Sequence, residues 1–215
     1  MFTNSDALIF FNKTYNQGKS EKFSSINDHR DVDVKFIEQY TNNSSKVLDL
    51  GAGPCYLAEK LLDKVSRIDC VEPIVSALKK VSDNVKTNKN VHIYNCTIQD
   101  FTSTEKYDVV TAFGVMHYFN ENECNKIYKK IRTILMPGGV LIVKNQFGLY
   151  DNVTIDSFSK EIGDNYFAQY RTLDLELNNL KSSGFKDVKV FAIYDEIDSA
   201  NRFSNTHFYS LVAKV

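Results

Sequence analysis

The run Lys46-Val47-Leu48-Asp49-Leu50-Gly51-Ala52-Gly53-Pro54 constrains this chain more than any other segment. Strand-forming residues lead to an acidic one, then to two glycines spaced by one, then to a helical pattern beginning near Cys55. A strand that ends on Gly-x-Gly and turns into a helix lets backbone N–H groups approach a ligand, because no Cβ intervenes. Glu72, in Val71-Glu72-Pro73, follows Gly53 by 19 residues and closes another short apolar run. A carboxylate there can accept hydrogen bonds from both ribose hydroxyls of an adenosine ligand. Together the two features imply an adenosyl cofactor.

Two details choose among such cofactors. A dinucleotide site usually carries a third glycine, so that the helix packs tightly and its N-terminus faces a pyrophosphate. Here Tyr56 holds that place, after Pro54 and Cys55, and an aromatic ring crowds a pyrophosphate. Asp49 puts a negative charge just before the loop, which repels phosphates and suits a cationic ligand. S-adenosylmethionine, a sulfonium with an α-amino group, fits better than NAD.

Strand and helix patterns alternate along the chain. Strands are expected at 47–50, 67–71, 91–95, 107–112, 140–144, 188–194 and 207–213, and helices at 56–64, 74–84, 121–135 and 172–182. Pro137-Gly138-Gly139 is read as the stop after the third of these helices. Such alternation with short connections implies an α/β fold, a seven-stranded, mostly parallel, doubly wound sheet. The link 195–206 is too short for a helical crossover, so the last strand is expected to be antiparallel. Residues 1–45, with helical stretches at 5–13 and 32–40, are expected to form an N-terminal helical lid on a core spanning 46–215. Residues 145–170, rich in aromatic and acidic side chains, are read as an acceptor-side insertion, because ligands of such sheets bind beyond the carboxyl ends of the strands.

The 215 residues suit one large domain. With 26 basic and 27 acidic residues, nothing suggests a broad basic face, so no nucleic acid is expected. No apolar run approaches the roughly 20 residues of a membrane span, and no signal-peptide layout opens the chain. Cys55, Cys70, Cys96 and Cys124 form no Cys-x-x-Cys pair and read as reduced packing residues of a cytoplasmic protein. Cys55, at a helix start, is the one placed for thiolate character.

At this point the chain resembles the class I S-adenosylmethionine-dependent methyltransferases. The resemblance runs through Val47–Gly53, Val71-Glu72-Pro73, Gln99-Asp100-Phe101, Tyr107-Asp108-Val109-Val110, Leu135–Gly139 and Thr206–Tyr209. It implies that Asp49, Gly51 and Gly53 contact the methionine and ribose of the cofactor and that Glu72 holds the ribose hydroxyls. Thr97, Ile98 and Gln99 then lie along the adenine, with Pro73 and Phe113 among the cofactor-binding residues. Within the class, Phe23-Ser24-Ser25-Ile26, Gln99-Asp100-Phe101 and Val143-Lys144-Asn145 are similar to protein alpha-N-terminal methyltransferases. The departures concern the ligands. Tyr56 stands where that family has the arginine that holds the cofactor carboxylate, and Gly114 stands for a channel tryptophan. The family's histidine falls on Tyr118, and Asn145-Gln146 replaces Asp-Asn. Another cation must then meet the carboxylate, with Lys19, Lys22 and Arg30 available.

Methyl transfer needs alignment of acceptor and methyl group, and removal of a proton when the acceptor is a hydroxyl. His117, in the stretch after the fourth strand, is the candidate base, since imidazole titrates near neutral pH. His29 and Tyr118 are the further catalytic candidates. Asn145, Gln146, Arg30 and His207 are the candidates for the acceptor side. The strand ends at Phe113-Gly114 and Lys144-Asn145-Gln146 offer no carboxylates for a divalent cation, so a metal-independent reaction is expected. The expected function is methylation of a hydroxyl of a small polar molecule, a sugar or nucleotide-activated sugar. N-methylation of a protein N-terminus or small amine stands second. A non-catalytic cofactor-binding protein and an NAD-dependent oxidoreductase are the readings from other classes.

Overall fold

The computed structural model describes residues 3–20, 30–194 and 205–215. Strand β1 (Lys46–Leu50) lies in the middle of a seven-stranded sheet because four of its five residues are buried on both faces. It pairs in parallel with β2 (Arg67–Val71) on one side and β4 (Tyr107–Phe113) on the other. Strand β3 (Val91–Tyr94) forms one edge, and β5 (Leu135–Gly148) continues the parallel set beyond β4. Strand β9 (Thr206–Lys214) then runs antiparallel between β5 and β8 (Asp187–Phe191). The order β3-β2-β1-β4-β5-β9-β8, with only β9 reversed, is the expected mostly parallel sheet.

Helices cover both faces, each held by an apolar stripe. On one face, α2 (Arg30–Glu38) and α3 (Tyr56–Leu61) bury Val34, Phe36, Ile37, Leu57 and Leu61 against Val47, Val109, Val140 and Ile142. On the other, α6 (Glu121–Ile134) places Cys124, Ile127, Tyr128, Ile131 and Ile134 at helical spacing on Leu48, Val110 and Leu141. Each fully buried Leu, Ile or Val contributes about 1.5–3 kcal/mol. Asn120 starts α6 with a capping box: its side chain accepts from the Glu123 amide at 3.0 Å and the Glu123 carboxylate accepts from its own amide at 2.9 Å. Helix α7 (Leu173–Ser182), capped by Thr172, packs beside α6.

Several boundaries differ from the sequence reading. The expected helix 74–84 is two short ones, α4 (Val75–Leu78) and α5 (Asp83–Thr87). Ser82 is extended (φ −66°, ψ 154°) and restarts the helix as an N-cap residue. Helix α3 stops at Leu61, and the sixth expected strand stops at Phe191. Pro137-Gly138-Gly139 does not separate helix from strand. It lies inside β5 as an irregularity, where Leu135 pairs Tyr107 and the register then shifts so that Val140 pairs Val109. Gly139 is needed there, since a Cβ would lie 3.0 Å from the carbonyl oxygens of Met136 and Tyr107.

The segment 145–170 is regular. β5 runs on to Gly148, and β6 (Val153–Ser159) and β7 (Asp164–Tyr170) form an antiparallel hairpin of their own. Its outer face is solvated, with Phe158 exposed, so no clean alternation marked it. Helix α1 (Asn4–Asn16) bridges this hairpin and α4 across the carboxyl edge of the sheet. Helix α2, by contrast, belongs to the apolar layer of the core. No described helix is long and apolar enough to cross a membrane.

Candidate active site

The loop after β1 turns through three left-handed residues, Gly51 (φ +74°), Gly53 (φ +54°) and Cys55 (φ +57°). Gly51 has no room for a side chain: an added Cβ would lie 2.9 Å from Val115 Cγ2. The amides of Gly51 and Ala52 donate to the Val71 carbonyl at 2.9 and 3.1 Å, which fastens the loop to the end of β2. Glu72 completes the tie. Its Oε2 accepts from the Gly53 amide and its Oε1 from the Ile74 amide, both at 2.8 Å. Burial pushes the Glu72 carboxyl above the usual range, and the two amides pull it back.

A cavity of about 560 Å³ opens over this loop at the carboxyl edge of the sheet. Asp49, Gly51, Gly53, Glu72, Pro73, Thr97, Ile98 and Phe113 line it together. Asp49 is buried, accepts a 2.7 Å hydrogen bond from Thr111 Oγ1, and has its carboxyl pushed up to about 6 by desolvation. Thr97 is fixed by Asp100, to which its hydroxyl donates at 2.6 Å. Gln99 is not a lining residue; its carbonyl, like that of Ile98, accepts from Lys130.

Beyond Asp49 the same sheet face carries Phe113 and Lys144, paired across β4 and β5. Lys144 is buried, and its Nζ bonds to Asp33 Oδ2 of α2 and lies 2.9 Å from the Tyr194 hydroxyl. Tyr194 in turn donates to Asp33 Oδ1 at 2.6 Å. Burial lowers the Lys144 ammonium and the Asp33 carboxylate raises it again. Helix α1 closes the other side, with the Phe11 ring edge-on to Tyr118 at 4.9 Å. The Tyr118, Tyr166 and Tyr170 hydroxyls follow one another at 3.4 and 3.3 Å.

The remaining sequence candidates divide. Tyr118 and Arg30 line the cavity, whereas His117, Asn145, Gln146 and His207 do not. His117 Nδ1 lies 3.2 Å from Asn145 Oδ1, its ring packs on Tyr118 at 4.1 Å, and burial pushes its pKa down to about 3. Gln146 bonds to Thr206, and the His207 ring packs against Tyr209. Lys19 donates to the Glu161 carbonyl at 2.6 Å. His29, Lys22 and Phe23-Ser24-Ser25-Ile26 lie outside the described residues. Among the described residues, no group of three or more His, Cys, Asp or Glu side chains could hold a metal ion.

Residues 47–139 match the model of a methyltransferase domain, and those residues carry the glycine loop, Asp49, Glu72 and Thr97. The fold is shared with solved structures: a DhpI–SAH complex superimposes with a TM-score of 0.75 over 98% of this chain and 96% of its own, at 13% identity. The fold is that of the class I S-adenosylmethionine-dependent methyltransferases, and residues 47–139 are similar to a methyltransferase domain. An alpha N-terminal protein methyltransferase 1 from Drosophila melanogaster is 29% identical over 66% of this chain and 51% of its own length. The protein of the same name from Dictyostelium discoideum is 31% identical over 48% and 40%. The chain thus spans about half the length of the curated relatives it matches.

The cleft suits S-adenosylmethionine on its own residues. Glycines admit a ligand to the backbone, Asp49 offers a buried carboxylate to a cation, and Glu72 offers one at the end of β2. The comparisons support the same cofactor. Asp33, Lys144, Tyr194 and Phe11 were missed in the sequence. The usable signal was Lys144, a charge ending the apolar run Val140–Val143, and Asp33, an acid between Val32 and Val34 at the start of an apolar stripe.

Proposed function

We propose that this protein is an enzyme that moves a methyl group from S-adenosylmethionine to a hydroxyl of a small polar acceptor. The observation that carries this reading is the closure of the cleft by α1. With Phe11 against Tyr118 and Tyr166 behind, the acceptor side is walled by aromatic rings. A volume of about 560 Å³ accommodates a cofactor with a small acceptor.

The cofactor supplies an activated methyl group on a sulfonium; the chain holds and aims. Asp49 takes the ammonium of the methionine moiety, Glu72 the ribose hydroxyls, and Thr97 and Ile98 flank the adenine. Phe113, Val115 and Tyr118 form the wall against which the acceptor is aligned for in-line attack. Tyr118 and Asn4 present polar atoms to it. His117 acts through Tyr118, since a buried imidazole with a pKa of about 3 is neutral at pH 7 and a weak base. The acceptor's hydroxyl proton passes to water as the C–O bond forms and the S–CH3 bond breaks, leaving S-adenosylhomocysteine. A sugar or nucleotide-activated sugar fits this combination of aromatic walls and hydrogen-bonding groups. The reaction draws on no metal ion.

A second reading is N-methylation of a protein N-terminus. It is favoured by the two curated relatives of that name. Transfer of labelled methyl from S-adenosylmethionine into cell extract, separated by size, distinguishes the two. Label among small molecules supports the small-acceptor reading; label on protein overturns it in favour of the second.

A further inference from the structure

Tyr56 follows the glycine loop directly, and a guanidinium from another element lies against its ring. Arg30, the first residue of α2, lies with Cζ 4.4 Å from the Tyr56 ring centroid. Both residues line the cavity beside Gly53 and Pro54. We propose that Arg30, stacked on Tyr56, receives the carboxylate of the cofactor's methionine moiety, so that α2 supplies the cation which the loop lacks. This rests on the S-adenosylmethionine reading of the cleft and adds the residue that recognises the amino-acid end.

Among the described residues, the other cations near the cavity are engaged elsewhere. Lys144 is held between Asp33 and Tyr194. Lys19 and Lys13 donate to the carbonyls of Glu161 and Gly163, each at 2.6 Å. Lys80 donates to Ser20 at 2.9 Å, on the side of α4. Arg30 is aimed by its surroundings. Asp31, the next residue, bonds to Lys60 of α3 at 3.2 Å and accepts from the Tyr56 hydroxyl at 3.5 Å. Residues 30 and 31 therefore bracket the Tyr56 ring. A guanidinium lying flat on an aromatic face keeps its N–H edge free for a bidentate carboxylate. Asp49 lines the same cavity and offers a carboxylate to the ammonium carried by the same carbon. The two residues then read the two charges of the amino acid separately.

The test is calorimetry on the full chain with two ligands, S-adenosylhomocysteine and its analogue lacking only the carboxylate, 5′-S-(3-aminopropyl)-5′-thioadenosine. The wild-type protein is expected to prefer S-adenosylhomocysteine by about tenfold or more, as a charge-assisted pair implies. Arg30→Ala should abolish that preference while leaving the analogue's affinity within about threefold, and Arg30→Lys should retain part of it. A preference unchanged in Arg30→Ala, or equal losses for both ligands, overturns the assignment. Binding of neither ligand by the wild-type protein overturns the cofactor reading beneath it. Unchanged affinity for the analogue also shows that Arg30→Ala is folded.

Discussion

The Glu72 carboxylate and the Gly53 amide are 2.8 Å apart, a hydrogen bond that joins the end of β2 to the loop after β1. The residue that is to hold the ribose thus also shapes the loop beneath it. Two sequence features read separately, Gly-x-Gly and a distant acid, are one structural unit.

Glu72→Ala should weaken S-adenosylhomocysteine by about 1–3 kcal/mol, the worth of hydrogen bonds to a charged group. Glu72→Gln keeps an acceptor for Gly53 and should lose less. Calorimetry measures both; unchanged affinity in both variants would remove Glu72 from the site.

Asp49 sets the acid limb of cofactor binding. Desolvation raises its carboxyl to about 6, and an ammonium bound beside it favours the ionised form. Affinity for S-adenosylhomocysteine should therefore fall as pH drops below about 6, by up to tenfold per unit, with proton release on binding. The sign for stability is the reverse. The folded pKa lies above the unfolded one, so this group's stabilisation is full below about 4 and lost as pH rises through about 6. Asp49→Asn should flatten both dependences, read by titration calorimetry and by melting temperature across pH 4–7.

The Asp33–Lys144–Tyr194 cluster joins α2 to the sheet. Asp33→Ala leaves a buried ammonium unpaired and should cost about 3–5 kcal/mol in urea unfolding. The double variant Asp33→Leu, Lys144→Met should cost less than either single change, because no charge is left stranded. Tyr194→Phe should cost about 1–3 kcal/mol. Additive losses in the double variant would show that the pair does not couple.

His117→Ala should lower turnover less than tenfold if the imidazole acts through Tyr118, and kcat should show no ionisation near pH 6.5 that the variant lacks. A loss of about 10²–10⁴ would restore it as the base.

How far the sequence led depends on the kind of signal. The sheet order followed from alternating short apolar runs, since central parallel strands are buried on both faces and show it at Val47–Leu50 and Val140–Val143. The loop was legible because Gly51 and Gly53 adopt a backbone that other residues rarely do. The β6–β7 hairpin was not legible: its pleat is half solvated and its aromatic residues serve α1 instead of a second sheet. Position in chain order also misled for His117 and Asn145. Both follow expected strands in the chain, yet their side chains meet each other and neither lines the cavity. Lys144 lies far in sequence from Arg30 and Asp33, and only the packing of α2 brings the three to one edge.

The most direct test of the central claim compares S-adenosylhomocysteine with NADH as stabilisers of the full chain in thermal unfolding. The account predicts that S-adenosylhomocysteine raises the melting temperature and NADH does not, because Asp49 and Tyr56 stand where a pyrophosphate would lie. A rise with NADH alone would contradict it and return the chain to the oxidoreductases.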